Sequence, residues 1–109
     1  MSAARQKGTR HETGLLEPLR AIWPNIDRAP LRGTNDQGDF TGCPGWLLEA
    51  KHVTSPRFLE WARTCRKKAA VHNLRWAVLW KGDARTERGQ PLVLLELDTF
   101  LALCANETP

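Results

Sequence analysis

The sequence predicts one α/β or α+β domain in which helices flank a mixed sheet of five strands, in the order α, β, β, β, α, β, β, α. Three observations predict it. Apolar residues recur at helical spacing in two long segments, one near residues 9–23 and one near 56–70. Short runs rich in Trp, Leu and Val, bounded by Gly, Pro, Asn and Asp, fill the intervals between and after them. At 109 residues, 41% hydrophobic and 26% charged, the chain has enough apolar surface for one core and no length for a second.

Each element has its own signal. From Thr9 to Trp23 the residues Leu15, Leu16, Leu19, Ile22 and Trp23 form an apolar stripe, with Thr9 as a candidate cap and Glu12 three residues on. Pro18 interrupts this helix, because its ring crowds the carbonyl of residue 14; a kink or two short helices are expected, and Gly14 eases the adjustment. An extended piece over Ile26 to Leu31 leads into the loop "RGTNDQG", followed by a brief strand at Asp39 and Phe40. After "TGCPG", Trp46 to Val53 reads as a strand with Trp46, Leu48 and Ala50 on one face and Leu47, Glu49 and Lys51 on the other. Pro56 opens a helix whose stripe is Phe58, Ala62, Cys65 and Ala69. "LRWAVLWKG" is a strand, "DARTERGQ" a polar loop, "PLVLLEL" a strand, and "DTFLALC" a terminal helix capped by Asp98. Residues 1–7 are expected as a flexible basic arm and 106–109 as a tail, with 1–109 a single domain.

Sixteen Lys and Arg against twelve Asp and Glu give a net charge of +4, compatible with a polyanionic partner such as nucleic acid or simply with solubility. "MSAARQKGTR" has no apolar signal region and no run is long enough to cross a membrane, so a cytoplasmic location is expected and a membrane partner is not. Cys43, Cys65 and Cys104 lack any metal-ligand or redox spacing and are expected as reduced thiols in or near the core. His11, His52 and His72 are equally scattered. Nucleophile triads, phosphate-binding Gly loops, dinucleotide fingerprints and repeats are all missing, so no small-molecule cofactor is expected.

The acids carry the chemistry. A Glu-x-Lys tripeptide is cheap, since chance supplies about half of one in a chain of this composition. Asp39, ten residues before Glu49 across a Pro and Gly turn, strengthens it, because a hairpin would bring the two carboxylates together. Hard oxygen donors in that arrangement suit Mg²⁺, with Mn²⁺ as a substitute, and the donors would be Asp39, Glu49 and the Ala50 carbonyl. Lys51 on the Glu49 side would orient water and offset phosphate charge. The competing reading is a half-exposed Glu49–Lys51 ion pair worth ~0–1 kcal/mol. Glu12 lies on the inward stripe of the first helix and is either a third acid of this site or a capping-box partner of Thr9.

Asp39 followed by Glu49-Ala50-Lys51 resembles the signature of the PD-(D/E)XK nuclease superfamily, with Gly38 where Pro is usual. "QKGTRHETGL" resembles the "KGxxxE" opening of archaeal-type Holliday junction resolvases, and "RGTNDQGDFTG" and "RFLEWARTCRKKAAVHN" are similar to later segments of that group, so the likeness runs from residue 7 to about 97. The resemblance implies a restriction-endonuclease-like fold and a Mg²⁺-dependent endonuclease, homodimeric, that cuts four-way DNA junctions. The compact length fits a phage or bacterial version, acting in the host cytoplasm if phage-borne. It further implies Asp39 and Glu49 as metal ligands, Lys51 as the water-orienting cation, Glu12 as a further acid, and Arg32 and Thr34 as contacts to the scissile phosphate. The alternatives are another nuclease of the superfamily, nicking or restriction-like, and a catalytically silent nucleic-acid-binding module.

Lys7, Arg10, Arg57, Arg63, Arg66 and Lys67, with Arg5 and Lys68, are candidates to neutralise DNA phosphates, or else they form solvated faces. Trp61, Trp76 and Trp80 are assigned to core or dimer packing in preference to base stacking.

Overall fold

The computed structural model describes residues 3–30, 36–82 and 90–106, except for the side chains of 3–7. Helix α1 covers Ala3–Arg20, strands β1, β2 and β3 cover Asp27–Arg28, Phe40–Thr41 and Trp46–Lys51, and helix α2 covers Phe58–Val71. Strands β4 and β5 cover Arg75–Trp80 and Leu92–Leu95, and helix α3 covers Leu97–Asn106. The order is the one the sequence predicts.

The sheet is not. The five strands fall into a two-stranded antiparallel ribbon, β1-β2, and a three-stranded sheet, β3-β4-β5. In the latter, β3 and β4 run parallel in the register Leu47↔Trp76 and Glu49↔Val78, and β5 is antiparallel to β4. The ribbon touches the sheet through one parallel bridge, Gly38↔Leu48, instead of the expected hairpin. The local reason lies in Asp39. Its N–H donates to the Leu48 carbonyl at 2.8 Å, but its Oδ2 then accepts the Ala50 N–H at 2.8 Å, the donor that a neighbouring backbone carbonyl needs to extend the ladder. A side chain closes the edge, and the ladder stops there.

The alternation read from Trp46 to Lys51 builds two cores, one on each face of β3 and β4. Leu48 packs with Leu15, Leu16, Ile26, Phe40, Cys43, Ala77 and Leu79 on the α1 side. Leu47 packs with Trp61, Cys65, Ala69, Trp76, Val78 and Trp80 on the α2 side. The three tryptophans assigned to packing are buried in this second core. Phe58 is half exposed, yet its ring meets those of Trp61 and Trp80 edge-on at 5.6 and 5.3 Å, so the inward stripe of α2 begins at Trp61.

Three boundaries differ from expectation. Helix α1 begins at Ala3, so the residues expected as a flexible arm include its first turn; Ala, Arg, Gln and Lys are all strong helix formers. Pro18 sits in the last turn of a continuous helix, where few following residues depend on it, and Ile22 beyond it is exposed. Helix α3 starts at Leu97, which puts Asp98 in its first turn and not at the cap. None of the residues of α3 is buried, and no described helix is long and apolar enough to cross a membrane.

Candidate active site

Gly38 sets the position of the first carboxylate. It has φ +99°, and a Cβ there would stand 2.6 Å from the Leu48 carbonyl oxygen. No L side chain fits, and proline, locked near −65°, could not adopt that φ, so Gly at this position follows from the close crossing of the chain over β3. Asp39 is then pinned twice, by its own N–H and by the Ala50 N–H on its Oδ2. The Ala50 carbonyl leaves β3 on the same edge as its N–H, facing Asp39.

Glu49 lies beside Asp39, on the α2 face of β3, and is 7% exposed, the one buried charged residue among those described. The carboxyls of Asp39 and Glu49 approach closely enough to share a proton. Burial, then the Asp39 charge, pushes Glu49 up to about 7. Burial also raises Asp39, against the Ala50 N–H that favours its ionised form. Two desolvated carboxyls side by side repel as anions and gain from any cation placed between them.

The cation present is Lys68. Its Nζ lies 2.9 Å from Glu49 Oε1 and 2.7 Å from Asp36 Oδ2, tying α2 to β3 and to the loop before β2. Asp36 Oδ1 in turn accepts the Gly38 N–H at 2.9 Å. Burial works to lower the Lys68 pKa, but its bonds to Asp36 and Glu49 raise it overall, so the ammonium persists. The same bond, with the Gly38 N–H, lowers Asp36.

Lys51 does not pair with Glu49. Its Nζ stands 5.9 Å from the centroid of the Trp61 ring, and its charge favours ionised Asp39. Glu12 accepts from Arg28 Nε at 2.9 Å and lies near enough for its charge to raise Asp39. Thr9 is inside α1, which removes the capping-box reading of Glu12. Two of the three expected acids therefore meet, and the third is held on Arg28. Among the described residues no group of three or more His, Cys, Asp or Glu is placed to hold a metal ion.

Comparison with protein-family models, curated proteins and solved structures finds no match to this chain.

A cleft of about 750 Å³ opens beside the pair, lined by Glu12, Arg28, Asp36 and Asp39 among others. Of the candidate DNA contacts, Arg10, Arg57, Arg63, Arg66 and Lys67 are exposed, with Arg57 on Glu60 at 2.7 Å and Arg66 on Glu96. Lys7 lies in α1; its side chain, and the whole of Arg32 and Thr34, lie outside the described residues. Cys65, beneath Glu49, is pushed up to about 11 by burial and the Glu49 charge, an inert thiol at neutral pH. His11 donates from Nε2 to the Leu79 carbonyl at 3.0 Å, a packing role, and burial lowers its pKa.

Sequence reasoning placed Lys68 only in the general basic surface and did not single out Asp36 or Arg28. The signal for Lys68 was available: it stands seven residues after Trp61 and three after Cys65, on the inward side of α2.

Proposed function

We propose that this protein is a magnesium-dependent endodeoxyribonuclease of the PD-(D/E)XK type that cuts branched DNA, four-way junctions foremost, as a cytoplasmic homodimer. The observation that carries the reading is the Asp39–Glu49 pair: two desolvated carboxyls side by side, one fixed by the backbone of the strand that bears the other. All-oxygen donors of this kind fit Mg²⁺ or Mn²⁺, because Mg²⁺ keeps several waters and asks for only one or two carboxylates. Asp39 and Glu49 would hold the ion, with the Ala50 carbonyl and Glu12 as further oxygens. When bound, it supplies Lewis-acid polarisation of a phosphate oxygen. Lys51 offsets the charge that develops on the phosphate, and Lys7, Arg10, Arg57, Arg63, Arg66 and Lys67 would neutralise flanking phosphates, with Arg32 and Thr34 at the scissile one. Exposed Leu97, Phe100 and Leu101 on α3 and Leu92 and Val93 on β5 favour a second copy as partner.

The test is incubation of purified protein with end-labelled four-way, Y-shaped and linear duplexes plus Mg²⁺. The reading expects junctions to be cut first; equal cutting of linear duplex overturns the junction preference and leaves a nicking or restriction-like nuclease. One observation favours a silent DNA-binding module as the second reading: Lys68 and Arg28 already neutralise Glu49 and Glu12. Junction binding without cleavage in Mg²⁺ or Mn²⁺ selects it.

A further inference from the structure

We propose that Lys68 is a tethered cation that competes with the metal ion for Glu49 and is handed to Asp36 when the ion binds. The inference rests on the metal-site reading above and names a positioning residue that the signature does not contain.

The Lys68 ammonium bridges two carboxylates from different segments, Asp36 Oδ2 at 2.7 Å and Glu49 Oε1 at 2.9 Å. Its two partners differ in surroundings: the Glu49 side chain is 9% exposed, that of Asp36 48%. A divalent cation held by Asp39 and Glu49 would share Glu49's two oxygens with Nζ, and like charges at that separation repel most strongly where water is excluded. Nζ therefore gives up Oε1. It does not have to leave the site, because Asp36 keeps it, and Asp36 is itself anchored by the Gly38 N–H at 2.9 Å, one residue before Asp39. Retracted onto Asp36, the ammonium stands at the cleft that Asp36 and Asp39 line, beside the path of an incoming phosphate. Lys51 has no such role, since its Nζ lies over Trp61 and no ion pair links it to Glu49.

The two partners of Lys68 thus pull it in opposite directions relative to the metal. Removing the amine frees Glu49, whereas removing Asp36 leaves the amine on Glu49 alone. A merely structural role for the bridge weakens metal binding in both cases. The experiment is calorimetric titration of the full chain with MnCl₂ at pH 8, for wild type, Lys68→Met, Lys68→Arg and Asp36→Asn, each checked for folding by circular dichroism. Lys68→Met is expected to bind Mn²⁺ about tenfold tighter, and Asp36→Asn about threefold weaker. Lys68→Arg is expected within about twofold of wild type. Unchanged or weaker binding in Lys68→Met, or shifts of the same sign in Lys68→Met and Asp36→Asn, overturns the proposal while leaving the metal site standing. If Lys68→Met fails to fold, unchanged or tighter binding in Asp36→Asn overturns it alone. No binding by any of the four proteins overturns the metal site itself and this inference with it, whereas binding that emerges only in Lys68→Met supports the proposal in its strongest form.

Discussion

The two sides of α2 carry the same chemistry in different surroundings. On the outer side Arg57 pairs with Glu60 at 2.7 Å, with side chains 73% and 54% exposed. On the inner side Lys68 pairs with Glu49 at 2.9 Å, with side chains 31% and 9% exposed. The distances are alike; the surroundings decide what each pair does. In water the outer pair gains little, because the solvent screens it and two long side chains lose freedom to form it. The inner pair has left water, so an ion without its partner is costly and the groups shift their proton affinities to suit. Among the described residues, the inner side alone combines acids, an amine and a cleft.

Asp39→Asn and Glu49→Gln are expected to have the largest effect, reducing Mg²⁺-dependent junction cleavage by about a thousandfold or more and abolishing calorimetric Mn²⁺ binding, since each removes a hard anionic oxygen that neutral amides replace poorly. Retention of wild-type Mn²⁺ affinity in either contradicts the ligand roles. Lys51→Ala comes next, with cleavage down by about a hundredfold and junction binding by gel shift kept within about threefold, because binding rests on the exposed basic residues. A variant that still cuts at near wild-type rate removes Lys51 from the site.

The third prediction concerns pH. The folded chain holds the Glu49 proton more tightly than the unfolded chain, about 7 against an ordinary value of 4.5. Its contribution to stability is therefore fully present below pH 4.5 and is lost as pH rises through about 7, a change of at most about 3 kcal/mol. Urea titrations at pH 5 and pH 8 should show stability from this group falling with pH, and Glu49→Gln should flatten the difference; a wild-type profile that rises over this range and is unaltered by Glu49→Gln is the contrary result. The smallest effect belongs to the outer side: Arg57→Ala is expected to change unfolding free energy by ~0–1 kcal/mol, measured in urea, and a larger loss would erase the contrast between the two faces.

Much of the site was legible because β-strand alternation is a strict rule. The period of two across Trp46 to Lys51 assigns Glu49 to one face and Leu48 to the other, and the structure builds a separate core on each. The approach of Asp39 to Glu49 was expected from a hairpin across the Pro and Gly turn between them, whereas the structure brings the two segments together through a parallel bridge, Gly38↔Leu48. What escaped depended on contacts distant in sequence. The split into two sheets follows from one side-chain bond, Ala50 N–H to Asp39, which no periodicity encodes. Lys68 is nineteen residues from Glu49 and was read as surface charge because lysine is usually solvated, although its spacing from Trp61 and Cys65 faced it inward. Arg28 captured Glu12 because β1 runs beside α1, a packing choice made by the ribbon and not by the helix stripe.

The most direct test of the account is cleavage of an end-labelled four-way DNA junction by wild type and Glu49→Gln, each with and without Mg²⁺. The account predicts cutting by wild type only when Mg²⁺ is present and none by Glu49→Gln. Cutting that is independent of metal, or equal in the two proteins, contradicts it.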